Sequence, residues 1–136
     1  MLSGNKETSA MSGERYLLDT NAVVALLRGD QALQQRLGGA EWVGISILSQ
    51  IEFLVFPDIT PQDRHAFQAF SDRVDVVGLD RTDPALIDRI VNVRQQHRLK
   101  LPDAIIAATA LERNATLITD DTQLRKLAAV KSIGIS

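Results

Sequence analysis

The chain has 136 residues, 45% of them apolar and 24% charged, with a formal net charge of −2 and no cysteine. That length and apolar share define one domain with an ordinary buried core. The near-neutral balance excludes a protein that coats nucleic acid through charge alone, and the lack of Cys excludes disulfides, thiolate metal sites and a cysteine nucleophile.

Residues 1–14 read as a small, polar, disordered leader, with Met11 as an alternative start, and residues 15–136 as a single domain. The leader has no apolar stretch of the kind found in secretory signals, and no run in the chain approaches the ~18 apolar residues of a membrane span. A cytoplasmic location fits both, as it fits a chain without Cys. The run Tyr16-Leu17-Leu18 is a short buried strand ending in Asp19. Residues 21–27 and 31–37 form helices, stopped at Gly29-Asp30 and Gly38-Gly39. Residues 42–45 form a second strand. A helix follows, starting at Ser46 or Ser49 and running to Phe56, before Pro57.

Residues 61–74 place Phe67, Phe70 and Val74 on one helical face, and residues 75–79 form a β-branched strand. Thr82-Asp83-Pro84 starts a helix in which Leu86, Ile90 and Val93 recur at the helical period, beside Ile87 and Val91. Pro102 opens a helix that is apolar nearly all round over residues 104–111, which predicts burial. A strand over 115–119, a helix over 122–129 and a last strand over 132–135 complete the chain. Strands and helices alternate, and the strands are short and continuously apolar. This pattern predicts an α/β three-layer sandwich around a central parallel sheet of about five strands.

In such sheets ligands sit beyond the carboxyl ends of the strands. Asp19 ends the first strand, and Asp120 and Asp121 follow Thr119 at the end of another. Glu52 and Asp103 lie early in helices that face the same edge. Each acid also has a local use. Asp19 and Asp121 are good N-caps, Asp103 complements a helix dipole, and Glu52 completes a capping box if Ser49 is the cap. Gathered in one pocket, such carboxylates need a counter-charge. A hard divalent cation with oxygen ligands, Mg²⁺ or Mn²⁺, is the natural one. With no Cys, and only His65 and His97 as imidazoles in polar stretches, zinc is disfavoured.

Four stretches resemble the motifs of the PIN-domain nucleases, in particular the compact VapC-type toxins. They are Leu17-Leu18-Asp19-Thr20-Asn21; Ile45-Ser46 with Ile51-Glu52; Leu101-Pro102-Asp103-Ala104-Ile105-Ile106-Ala107-Ala108-Thr109-Ala110; and Leu117-Ile118-Thr119-Asp120-Asp121. The similarity spans residue 16 to about residue 127. It places Asp121, not Asp120, at the family's last acidic position. It implies a Mg²⁺- or Mn²⁺-dependent ribonuclease leaving 5′-phosphate and 3′-hydroxyl ends, and for VapC-type members a homodimer held in check by a small antitoxin.

Phosphodiester hydrolysis needs an activated water in line with the leaving oxygen and positive charge on the phosphoryl oxygens, which metals in a carboxylate cluster supply. Asp19 and Asp103 are then the main ligands. Glu52 completes the shell or positions the water, and Asp121 holds a second metal or the waters of the first. Asn21, Ser46 and Thr119 are candidates to orient the acids, with local turn and cap bonding as their alternative use. Lys100 and Arg28 are candidates to grip RNA, while Arg94 and Arg98 suit a solvated helix face. Two other readings are a catalytically silent PIN-fold binding module and a haloacid-dehalogenase-like phosphatase. The first fits poorly with four intact acids. The second expects an Asp where this chain has Asn21. A phosphoaccepting receiver domain expects an Asp ending the third strand, but here Asp80 follows Leu79.

Overall fold

The computed structural model describes residues 13–135. Five strands form the sheet: β1 (Arg15–Leu18), β2 (Trp42–Ser46), β3 (Asp75–Val77), β4 (Thr116–Ile118) and β5 (Ser132–Ile133). All neighbours are parallel, in the order β3-β2-β1-β4-β5. Leu17 stands opposite Gly44 on one side and Leu117 on the other, and Leu18 opposite Ile45 and Ile118. The chain first builds outward from β1 through β2 to β3, then returns to add β4 and β5 on the opposite side of β1. The crevice between β1 and β4 at their carboxyl ends is therefore the topological switch point of the sheet, the place where open α/β sheets bind ligands.

The short strands are apolar throughout because both faces are covered. Leu17 and Leu117 pack in one core with Leu86, Ile90, Val93, Ala104, Ile105 and Ile106. Tyr16, Leu18, Ile45 and Ile118 pack in the other with Ala22, Val23, Phe53 and Phe67. Helices α5 (Pro84–His97) and α6 (Leu101–Glu112) supply the first layer. The second comes mainly from α1 (Thr20–Leu27), α2 (Gln31–Gly38), α3 (Ile47–Leu54) and α4 (Pro61–Ser71). The architecture is the three-layer sandwich expected from the alternation of elements. Residues 104–110 are all buried, as the apolar run predicts. Thr109 is accommodated there because its hydroxyl donates to the Ile105 carbonyl one turn back, at 2.7 Å.

Several elements end earlier than the pattern predicts. Helix α3 stops at Leu54, with Val55 as its C-cap, and α4 stops at Ser71 with Asp72 as its C-cap. The last helix, α7 (Thr122–Arg125), has a single turn, and residues 126–129 leave the helix that the pattern extends to Ala129. In each case only the part with a buried anchor stays helical: Phe53, Phe67 and Leu124 respectively. Strands β3 and β5 stop at Val77 and Ile133, where their parallel partners end. Of the predicted leader, residues 1–12 lie outside the described residues. Among the described residues no helix is long and apolar enough to cross a membrane.

Candidate active site

Three acids of the predicted site, Asp19, Asp103 and Asp121, are positioned by the start of a helix, and Glu52 by the second turn of one. Asp19 leaves β1 with its amide still donating to the Ile118 carbonyl across the switch point, at 3.0 Å. It is the N-cap of α1, and its Oδ1 accepts from the Thr20 amide at 2.8 Å. Its other oxygen, Oδ2, accepts from the Thr119 hydroxyl at 2.7 Å. Thr119 is fully buried just past β4, and the same Oγ accepts from the Asp121 amide at 3.0 Å. One hydroxyl thus ties the acid after β1 to the backbone of the acid after β4. Asp121 caps α7, accepting from the Gln123 and Leu124 amides. Its neighbour Asp120 accepts from the Ile135 amide and so pins the segment after β5.

Helix α3 begins at Ile47 with Ser46 as its N-cap, the Ser46 Oγ accepting from the Leu48 amide at 3.1 Å. This resolves the two starts open in the sequence. Ser49 is a buried residue inside the helix, its Oγ unpaired, and it makes no capping box with Glu52. Glu52 lies in the second turn, exposed, and its Oε1 accepts from the Thr20 hydroxyl at 2.6 Å. Asp103 sits in the first turn of α6, whose N-cap Lys100 provides no side-chain cap. Among the described residues nothing hydrogen-bonds the Asp103 carboxylate, which stands half-buried.

The four acids line one open cavity of about 1000 Å³, together with Thr20, Asn21, Arg28, Asp30, Pro102 and Asp120. Their charges act on each other. Burial raises the pKa of Asp19 above the ordinary aspartate value. The hydrogen bonds from Thr119 and Thr20 oppose the rise, and the charges of Glu52 and Asp121 add to it. Asp103 is also raised, by burial first and then by Asp121 and Asp19, with Glu52 adding less; the ammonium of Lys100 works in the other direction.

Of the residues expected to orient the acids, Thr119 bonds two of them. Asn21 lines the cavity but hydrogen-bonds none of the acids, and Ser46 serves the end of α3 while lying outside the cavity lining. Arg28 is exposed and lines the cavity, whereas Lys100, three residues before Asp103, is exposed and outside the cavity lining. His65 and His97 are exposed and outside the cavity. Sequence reasoning passed over Thr20. Its signal was present as a hydroxyl next to the first acid, but its partner Glu52 is 32 residues away. Asp30, read in the sequence only as part of a helix stop, lines the cavity and caps α2 by accepting from the Leu33 amide.

Among the described residues no three acidic or imidazole groups form a ready-made ion cage. The donor chemistry still fits Mg²⁺ or Mn²⁺. Mg²⁺ keeps several waters and is usually held by one or two carboxylates rather than by an all-protein shell. The acids of the cavity offer hard oxygen donors, one of them, Asp103, without a hydrogen-bond partner among the described residues.

The PIN domain family model matches residues 16–130, and the chain belongs to that family. No curated protein sequence matches it. Among solved structures it is similar to a toxin–antitoxin complex from Klebsiella pneumoniae, at 26% identity and a TM-score of 0.70 over 89% of this chain and 98% of that one. VapBC2 from Rickettsia felis, solved bound to a DNA fragment from its promoter, matches with a TM-score of 0.73 at 16% identity, over 88% and 98% of the two chains. DNA-bound VapBC from Salmonella typhimurium gives a TM-score of 0.73 at 14% identity, over 90% and 99%. At that identity the last two speak to the fold.

Proposed function

We propose that this PIN domain is a Mg²⁺- or Mn²⁺-dependent endoribonuclease and the VapC-type toxin of a toxin–antitoxin pair, acting in the cytoplasm. The observation that carries the reading is the meeting of four carboxylates, from four separate motifs, in one cavity at the switch point of the sheet. The similarity to the toxin–antitoxin complex from Klebsiella pneumoniae supports the partner and the biological role.

Asp103 and Asp19 are the residues that would hold the cation, with Asp121 holding its waters or a second ion. A divalent ion there supplies positive charge for the phosphoryl oxygens and eases ionisation of the attacking water. Glu52, steadied by the Thr20 hydroxyl, is placed to orient that water and take its proton. Water attacks phosphorus, the P–O3′ bond breaks and the 3′ oxygen acquires a proton, leaving 5′-phosphate and 3′-hydroxyl ends. Arg28 and Lys100 hold the RNA backbone at the rim.

Asp19→Asn and Asp103→Asn should each abolish cation-dependent cleavage of RNA while keeping the wild-type circular dichroism spectrum. Cleavage at the wild-type rate by either variant overturns the site. Hydrolysis of a small phosphomonoester with no action on RNA would instead indicate a phosphatase. The partner assignment is checked by co-expression with a small reading frame immediately upstream, which should yield a complex that no longer cleaves RNA. A homodimer belongs to the same reading. Its surface would come from α5, where Ile87 and Val91 are exposed beside the buried Leu86, Ile90 and Val93. Light scattering that finds only monomer at high micromolar concentration counts against it.

A further inference from the structure

A second cavity, of about 270 Å³, lies beside the first. Val24, Arg28 and Phe56 line both. The side cavity has an apolar floor of Leu27, Phe53, Ile59 and Ala66, and two carboxylates, Asp58 and Asp63. Phe53 is fixed in the core by stacking on Phe67, with ring centroids 4.7 Å apart. Phe56, just beyond the end of α3, is 59% exposed, and nothing in the core requires an aromatic ring there.

We propose that this side cavity is a nucleobase subsite that takes a guanine flanking the scissile phosphate. The proposal rests on the ribonuclease reading for its biological substrate, though not for its binding test. Ligand cavities of drug-sized molecules run from roughly 300 Å³ upward, so this one suits a single ring system rather than a stretch of strand. Single-stranded RNA is read by splaying a base onto an aromatic face and hydrogen-bonding its edges. Phe56 supplies the face. The edges are chemically marked. Asp58 accepts no hydrogen bond among the described residues. Asp63 accepts from the Thr60 amide and feels the charge of Arg28, so it is the more engaged of the two carboxylates. Two carboxylates favour a base edge that presents adjacent donors, as the N1–H and N2–H₂ groups of guanine do. A guanidinium favours the O6 and N7 acceptors on the adjoining edge of the same base. Arg28, at the junction of the cavities, is placed for that edge or for the phosphate beside it. Uracil has a single ring donor between two carbonyls, and adenine lacks the donor pair.

The test begins with nucleosides, which carry no scissile bond. Full-length protein with ¹³C-labelled phenylalanine is titrated with guanosine, adenosine, cytidine and uridine in EDTA. Guanosine should shift the Phe56 ring signals and bind several-fold more tightly than the other three. Phe56→Ala should weaken it about tenfold, the order expected for loss of one base–aromatic stack, and Phe56→Tyr should restore it. Asp58→Asn should erase the preference for guanosine. Equal binding of all four nucleosides, or no effect of Phe56→Ala and Asp58→Asn, overturns the subsite. So does the result that both variants leave nucleosides unaffected and weaken only capture of a protein antitoxin, which would make the groove a peptide site. Cleavage of a random-sequence RNA pool with Mn²⁺ then separates the two ideas. Guanine enrichment beside the cut, lost in Asp58→Asn, supports both. Guanosine binding by a protein that cleaves no RNA sinks the nuclease and leaves the subsite standing.

Discussion

Asp103 and Thr119 occupy opposite electrostatic positions in the site. Asp103 is held in a carboxylate field with no donor to answer it, and its pKa is raised by burial and by Asp121 and Asp19. A raised carboxylate pKa means that the folded state binds the proton more tightly than the unfolded chain does. The resulting penalty is absent below the unfolded value, grows as pH rises through the folded value, and is complete above it. Asp103→Asn removes the charge without changing the side chain's size. In EDTA the variant should therefore match wild type in urea melts near pH 3 and be the more stable protein at pH 7. A wild type that is more stable than the variant at pH 7 would contradict the raised pKa. Thr119 is the counterpart, a buried hydroxyl that donates to Asp19 and accepts from the Asp121 amide. Thr119→Val keeps the shape and strands both partners. It should lower stability by about 1–3 kcal/mol and depress cation-dependent cleavage, whereas Thr119→Ser keeps the hydroxyl and most of both properties. Equal losses in Val and Ser variants would mean that the methyl group, not the hydrogen bonds, is what matters there.

Strand β2 is organised around a close approach. Trp42 and Gly44 share one face of the strand, and a Cβ at Gly44 would clash with the Trp42 ring. The ring is not free to swing away: its indole N–H donates to Asp75 on β3, and the Arg15 guanidinium lies over it, 4.9 Å from its centroid. Gly44→Ala should thus cost about 1–3 kcal/mol, the usual range for overpacking, seen as a lower urea midpoint at unchanged slope; a neutral result would show that the ring relocates easily. This contact was invisible in the sequence, because a Gly inside an apolar strand pattern says only that something approaches it closely. The strand and helix order was legible for the opposite reason. Apolar runs such as Tyr16–Leu18 and the helix around Ala107 are buried on all sides, so their pattern needs no knowledge of partners. The acids at element ends were legible through the sheet rule and the four motifs. The Ser46 or Ser49 start was not, since both serines satisfy the local capping preference and only the end of β2 at Ser46, whose Oγ accepts from the Leu48 amide, decides between them. Thr20 as the partner of Glu52, and Phe56 as a ring shared by two cavities, depend on how α1 and α3 meet. No local pattern encodes that meeting.

At the scale of the whole molecule the net charge of −2 hides an uneven distribution, because the acids of four motifs face a single cavity. Without a cation, burial disfavours ionisation of both Asp19 and Asp103, the charge of Asp19 adds to the effect on Asp103, and Glu52 and Asp121 add to both. A cation that binds the folded cavity and not the unfolded chain stabilises the protein by roughly 2.7 kcal/mol at a hundredfold excess over its dissociation constant. For a domain of this size that is a rise in melting temperature on the order of 5–10 °C. Mg²⁺ and Mn²⁺ should both produce it. The response should shrink as pH falls, since protons compete for the same carboxylates. Asp103→Asn should start from a higher melting temperature in EDTA and gain less from either ion. Asp19→Asn should behave similarly, with a smaller initial gain, because Asp19 also caps α1 and accepts from Thr119; Asn retains the cap acceptor, so the helix start survives. Thermal melts of the three proteins in EDTA and across a titration of each ion check this directly. Superimposable curves for wild type in EDTA and in saturating Mn²⁺ would mean that the acids share a cavity without forming a metal site. The ribonuclease proposal would then lose its chemistry while the fold and family stood unchanged.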